Sequence, residues 1–288
     1  MSRFLKLDLP RYVVATSAFF SLLCVGTLFF YLVHESLPLW QAEGWAFLTG
    51  RDWLVGEVYG ALPMVYGSVM VTGLALILVL PFALGSAIFT SEYLPSRMRL
   101  LVKSIMELLA GVPGIVYGLL GVSLLTVWLK DVFGLIDGNS ILAAALLLAV
   151  MILPTVMTLS EDALRAVPAE YRETAWSLGL TKMETIGCAV LPQALPGIAG
   201  AVFLGLGRAL GETIAVMLVI GSLDRVPQPW YDLFAPAQSI PSKLGREAAE
   251  ALGSGQHWNA LIGLGLVLFI LVMVITLIGN LSLRRVRL

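Results

Sequence analysis

The chain has 288 residues, of which 58% are hydrophobic and only 13% are charged, and its mean hydropathy is +0.90. This composition excludes a soluble globular domain, in which about a quarter of the residues are charged. The 18 basic and 19 acidic residues nearly cancel, so the charge indicates neither a nucleic-acid partner nor a polybasic arm. Two isolated cysteines, Cys24 and Cys188, exclude a disulfide framework and a thiolate metal site. The composition predicts a protein that crosses the lipid bilayer several times.

Six apolar stretches are long enough to cross a bilayer as helices, which takes about 20 residues at roughly 1.5 Å per residue. In chain order they cover residues 12–33, 64–89, 108–129, 141–160, 196–223 and 258–281. Each stretch is continuously apolar rather than alternating, which favours helices over the strands of a membrane barrel. The sequence therefore predicts an all-α fold with six transmembrane helices.

Lysine and arginine predict the orientation of these helices, because cytoplasmic segments carry an excess of both. With a cytoplasmic N-terminus, the inner segments hold twelve basic residues in 67 positions, and the outer segments hold five in 73. The inner segments are 1–11, 90–105, 161–195 and 284–288, and the outer segments are 34–62, 130–139 and 224–257. We therefore expect both termini in the cytoplasm. The first stretch lacks small residues at the usual cleavage spacing, which favours a retained helix over a cleaved signal peptide.

The chain carries few groups that could perform chemistry. It lacks a Gly-x4-Gly-Lys-Ser/Thr loop for nucleotide phosphates, and its two histidines, His34 and His257, fall in outer segments. We therefore expect no enzyme, no metal site and no cofactor in this chain, so any ATP hydrolysis would take place on another chain. Gly207 and Gly211 lie one helical turn apart, a spacing typical of close helix packing.

The inner segment 161–195 is the longest cytoplasmic segment and has an unusual pattern. Pro168 precedes a helical stretch, Gly179 ends it, and a second short helix ends in Leu191-Pro192. Alanine, tryptophan and leucine recur at helical spacing along the first helix, while its glutamates remain polar. The segment predicts a helix–turn–helix on the membrane face, which either offers an apolar ridge to a docking partner or covers its own bundle.

Within this segment, Glu173-Thr-Ala175-x3-Gly179-x11-Leu191-Pro192 resembles the Glu-Ala-Ala-x3-Gly-x9-Ile-x-Leu-Pro signature of type I ABC importer permeases. Thr174 and Ala189 depart from that signature. The resemblance implies the MetI-like fold, with a permease domain over 64–280 between an appended element, 1–63, and a cytoplasmic tail, 281–288. It also implies that these residues couple the chain to an ATPase: Glu173, Ala175, Gly179, Leu191 and Pro192.

Two further motifs, residues 107–118 and 207–213, are similar to phosphate-specific permeases of bacterial inner membranes. Those permeases form two related subunits, and the local pattern of this chain favours the C subunit over the A subunit. The resemblance implies four partners, namely a homologous permease, two ATP-binding subunits that bind ATP and Mg, and an outer phosphate-binding protein. Another oxyanion, such as molybdate, sulfate or phosphonate, is the alternative substrate. A secondary transporter and a membrane-embedded enzyme are remote alternatives.

The fifth stretch contains two charges, Arg208 and Glu212. Arg208 falls about twelve residues into its predicted helix, hence about 18 Å deep in a layer of roughly 30 Å. Such a charge is costly in lipid, so it should face protein or a water-filled path, and Glu212 could pair with it at i, i+4. The pair is either structural or a pathway for an oxyanion, in which Arg208 would bind two oxygens at once. Glu107 and Tyr117 are lesser candidates that we expect to be structural.

Overall fold

The computed structural model describes residues 5–286, with the side chains of 11–279 and 281. Residues 1–4, 287 and 288 of the predicted cytoplasmic tails lie outside the described residues. Within the described part, six helices are long and apolar enough to cross a membrane, which confirms the predicted number. They comprise Arg11–Ala42, Leu62–Tyr93, Gly114–Phe133, Ile141–Arg165, Lys182–Gly211 and Gln256–Gly279.

The first helix, α1 (Leu5–Ala42), is longer than predicted and continues into the predicted outer segment 34–62. It packs against the last helix, α13 (Gln256–Val286), where the ring centroids of Phe29 and Phe269 lie 5.5 Å apart. The outer segment then forms a short helix and an antiparallel hairpin, named α2 (Ala46–Thr49), β1 (Trp53–Leu54) and β2 (Val58–Tyr59). This hairpin is a small exception to the all-α prediction.

The centre of the bundle is the fourth span, α7 (Ile141–Arg165), which packs between α3 (Leu62–Ile88) and α10 (Leu191–Gly211). Helix α10 approaches α7 closely at Gly205, where a Cβ would lie 2.5 Å from a methyl group of Val156. The packing role predicted for Gly207 and Gly211 is wrong within this chain, because no described atom lies within 4 Å of a Cβ at either position.

The third span begins later than predicted. Residues 96–110 form a separate amphipathic helix, and the membrane span starts only at Gly114. Pro113 lies between the two helices in an extended conformation. Proline interrupts the helix here because it lacks an N–H group and disfavours the helical conformation of the residue before it. The elements are α4 (Ser96–Ala110), α5 (Gly114–Leu120), a π-helical turn (Gly121–Leu125) and α6 (Thr126–Phe133).

The fifth span is also broken, and the prediction of one helix over 196–223 is wrong. Helix α10 ends at Gly211, Glu212 is extended, and a new helix begins at Ile214. The hydroxyl of Thr213 donates to the carbonyl of Gly211 at 3.3 Å, so it satisfies one backbone group that the break exposes. The other elements around this span are α9 (Lys182–Thr185), a π-helical turn (Ile186–Val190), α11 (Ile214–Val219) and α12 (Ile240–Ala251).

A buried group of charges joins the predicted outer segments to each other. The side chain of Lys243 is 1% exposed and contacts the carboxylates of Asp224 and Glu247. Its Nζ atom also lies 4.9 Å from the ring centroid of Trp53 in the hairpin. His257, at the start of α13, lies 3.1 Å from the other oxygen of Glu247. These contacts fix the N-terminal hairpin to the last two helices.

Candidate functional site

The two charges of the fifth span lie where the breaks of the third and fifth spans meet. The Nη2 atom of Arg208 donates to the carbonyl of Ala110 at 2.9 Å, and Nη1 lies 3.4 Å from the hydroxyl of Thr155. Ala110 is the last residue of α4, so the guanidinium satisfies a free carbonyl at the negative end of a helix. Tyr117 donates to the neighbouring carbonyl of Leu109 at 3.0 Å, which agrees with the structural role expected for it.

Glu212 lies at the N-terminal ends of helices, whereas Arg208 lies at a C-terminal end. Its Oε1 atom lies 3.4 Å from the backbone N–H of Ala215, in the first turn of α11. The same oxygen fills the space beside Gly114, where a Cβ would lie 2.5 Å from it. Gly114 begins α5, so the carboxylate lies next to the positive ends of two helices, which stabilise a negative charge.

The predicted pairing of Arg208 with Glu212 is wrong. An i, i+4 pair requires a continuous helix, and α10 ends at Gly211. No ion pair joins the two side chains in the part of the chain that the structure describes. Each charge is balanced by helix ends instead. The breaker sequence 110–114, Ala-Gly-Val-Pro-Gly, was the signal for the break that supplies the ends of α4 and α5.

Both charges remain available to a ligand. A guanidinium has five N–H donors, and Arg208 uses only two of them on described atoms. Its partner Thr155 lies ten residues before the end of α7, hence about 15 Å along a helix of 25 residues. The guanidinium therefore lies near the middle of the fourth span, and both Arg208 and Glu212 are partly exposed. Glu107 is exposed on α4 and makes no side-chain hydrogen bond to the described residues.

A second polar cluster joins α4 to the C-terminal end of α7, on the side predicted to be cytoplasmic. Lys103 is 3.3 Å from a carboxylate oxygen of the buried Glu161 and also contacts Asp162, while Arg99 lies 3.9 Å from the second oxygen of Glu161. Burial alone would lower the pKa of Lys103, but its bonds to Asp162 and Glu161 outweigh burial and raise that pKa above the usual value. The cluster therefore holds α4 against α7 through a charged lysine.

The helix–turn–helix predicted for segment 161–195 is present. Helix α8 (Ala169–Ser177) ends in a turn at Gly179, whose φ of +80° is the left-handed conformation that glycine adopts without strain. The N–H group of Gly179 donates to Trp176 at 2.9 Å, and that of Leu180 donates to Ala175 at 3.1 Å. The short helix α9 follows this turn.

Helix α8 has one buried and one exposed face. Ala175 is 4% exposed and faces the bundle, so it does not belong to the apolar ridge that the sequence suggested. Trp176 is 55% exposed and Leu178 is 76% exposed, and Glu173 is also exposed. The exposed face therefore combines a carboxylate with two large apolar side chains.

The other two residues of the predicted coupling motif lie at the start of α10. Leu191 is its first residue and is partly buried, whereas Pro192 follows it and is exposed. Proline is favoured there because the first helical N–H groups have no partner within the helix. Pro192 lines a cavity of about 500 Å³ with Tyr171 of α8 and Val167. The five motif positions thus lie along one loop, with Ala175 inside and the others at its surface or turns.

The chain matches the family described as "Binding-protein-dependent transport system inner membrane component" over residues 80–288. It is 36% identical to the phosphate transport system permease protein PstC of Mesorhizobium japonicum, over 86% of this chain and 81% of that protein. Identity to PstC of Pasteurella multocida is also 36%, over 93% of this chain and 89% of that protein. A chain of a bacterial alginate ABC transporter has a similar structure, with a TM-score of 0.65, 18% identity and coverage of 99% and 97%. The chain therefore belongs to the family of inner-membrane components of binding-protein-dependent transport systems, with the MetI-like fold of ABC permeases.

Proposed function

We propose that this chain is a C-type permease subunit of an ATP-driven ABC importer for inorganic phosphate, in a bacterial inner membrane with both termini cytoplasmic. Two relatives, aligned over 81% and 89% of their own length, are named phosphate transport system permease proteins, which supports phosphate as the substrate. The membrane core would be 64–280, with 1–63 as an appended element. The A-type subunit is the second choice.

The observation that carries this proposal is that Arg208 and Glu212 are balanced by helix ends rather than by each other. Because no ion pair must first be broken, the free N–H donors of Arg208 can bind two oxygens of an oxyanion. The carboxylate of Glu212 can accept a hydrogen bond from a protonated phosphate oxygen, whereas fully ionised sulfate has no proton to donate. Two separated charges also allow release, because neither alone forms a deep trap.

The cytoplasmic loop supports a partner that hydrolyses ATP. The exposed face of α8, with Glu173 and Trp176, suits docking into a cleft of an ATPase subunit. One six-span chain with one such helix would form half of the pathway. The complex would therefore contain a homologous permease, two ATPase subunits that bind ATP and Mg, and an outer phosphate-binding protein.

The proposal is tested by anion selectivity. We expect ATP-dependent uptake of radiolabelled phosphate by the reconstituted complex, with weak competition from sulfate and molybdate. Glu212→Gln retains an oxygen acceptor for the N–H group of Ala215 but removes the negative charge, so sulfate should compete more strongly. Glu107→Gln removes a charge from the exposed face of α4 and serves as the matched control.

Three outcomes would contradict the proposal. Equal competition by sulfate and phosphate in the unchanged complex would favour a permease for another oxyanion. Uptake that continues without ATP hydrolysis would favour a secondary transporter. Chemical conversion of the substrate would favour a membrane-embedded enzyme.

A further inference from the structure

The basic residue beside the coupling motif, Arg172, contacts two membrane spans from α8. Its Nη1 atom donates to the carbonyl of Val167 at 2.8 Å. Its Nη2 atom donates to the carbonyl of Leu164 at 3.0 Å and to Oε1 of Glu92 at 2.8 Å. The guanidinium thus bonds to the end of the fourth span and to the end of the second.

These contacts suit an arginine at this position. Leu164 lies in the last turn of α7, where carbonyls lack partners within the helix and where a positive charge is stabilised by the helix dipole. The side chains of Arg172 and Glu92 are 18% and 11% exposed, so solvent screens their charge-assisted bond only partly. The three acceptors are bound from two nitrogen atoms, Nη1 and Nη2, a spacing that the single nitrogen of a lysine ammonium does not reproduce.

The second span is held by the loop at a further point. Glu92 belongs to a π-helical turn, Phe89–Tyr93, with which that span ends. The Nζ atom of Lys182, in α9, lies 4.5 Å from the ring centroid of Tyr93. The hydroxyl of Tyr93 is 3.9 Å from the sulfur of Met183. Both helices of the loop therefore contact the same turn, and π-helical turns are frequent at functional positions.

We propose that Arg172 is a positioning residue for coupling, through which movement of α8 is transmitted to the π-helical end of the second span by its bond to Glu92. This inference rests on the proposed coupling of α8 to an ATPase. The bond to Leu164 joins α8 to the last turn of α7, and the bond to Val167 joins it to the segment that follows α7. The carboxylate of Glu92 is then the contact through which a displaced α8 pulls or pushes the second span.

The test is the amount of radiolabelled phosphate taken up per ATP hydrolysed by the complete reconstituted complex. Glu92→Gln is isosteric and leaves the two carbonyl bonds of Arg172 intact, so the loop should still fold. We expect this ratio to fall about tenfold, as for loss of one charge-assisted hydrogen bond. Arg172→Lys should lower it similarly, because a single ammonium nitrogen cannot replace both Nη1 and Nη2 at their separate positions. Complex yield should stay within about twofold of the unchanged protein.

The control is Arg165→Gln, which removes an exposed charge from the same end of α7 and should leave the ratio unchanged. A purely structural role for Arg172 would lower complex yield without changing uptake per ATP. The inference is therefore overturned if Glu92→Gln and Arg172→Lys both match Arg165→Gln in that ratio. Failure of the proposed function would be distinguished from this outcome, because the unchanged complex would then show no ATP-dependent phosphate uptake.

Discussion

The turn at Gly179 gives a prediction whose magnitude follows from backbone conformation alone. Gly179 has a φ of +80°, and no described atom lies within 4 Å of a Cβ at this position. Gly179→Ala would therefore create no clash, and its cost is that of the left-handed conformation, about 1–2 kcal/mol. Gly187→Ala is the matched control, since Gly187 also has open space around it but lies in a π-helical turn without a positive φ.

The assay is hydrogen exchange of the amides of Gly179 and Leu180, which donate to the carbonyls of Trp176 and Ala175. A cost of about 1–2 kcal/mol predicts exchange about 5- to 30-fold faster in Gly179→Ala, if these amides exchange by local opening. In Gly179→Asn the exchange rate should lie between those of the unchanged protein and Gly179→Ala, because asparagine tolerates the left-handed region. Equal protection in Gly179→Ala and Gly187→Ala would refute the reasoning.

Three further predictions concern other contacts. Gly114→Ala should push the carboxylate of Glu212 away from the start of α5, so phosphate uptake should fall at unchanged complex yield in membranes. Lys243→Met leaves two carboxylates without their counterion, so it should destabilise the outer segments by about 3–5 kcal/mol and lower the thermal unfolding temperature in detergent. The raised pKa of Lys103 adds stability that is fully present below the usual lysine pKa. That stability should be lost as pH rises through the raised pKa. The measurement is the thermal unfolding of Lys103→Gln and of the unchanged protein as a function of pH.

The sequence predicted the number of spans correctly because hydropathy sums over about 20 residues and does not depend on tertiary contacts. It misplaced the third and fifth spans for a local reason. The apolar residues 108–110 end an amphipathic helix rather than begin a membrane span, and the fifth stretch is interrupted at the extended residue Glu212. Hydropathy carries no information on such breaks, whereas Pro113 and its neighbouring glycines do indicate the break of the third span.

The candidate site was found from the sequence because charges in an apolar stretch are costly and therefore conspicuous. Their partners could not be found, since the carbonyl that Arg208 binds lies 98 positions away along the chain. The same limit applies to Arg172, whose carboxylate partner is 80 positions away. The sequence also did not reveal that Ala175 faces the bundle, because helical spacing identifies an apolar face but does not say what covers it.

The central claim is that Arg208 acts on the translocated anion and does not merely cap α4. Arg208→Lys separates these roles, because an ammonium can still donate to the carbonyl of Ala110 and complement the helix dipole but lacks the planar fork. The measurement is phosphate uptake by Arg208→Lys, normalised to the amount of complex in the membrane. The account predicts uptake below about one tenth of the unchanged level, as for loss of a bidentate charge-assisted contact. Uptake close to the unchanged level would contradict it and leave Arg208 as a helix cap.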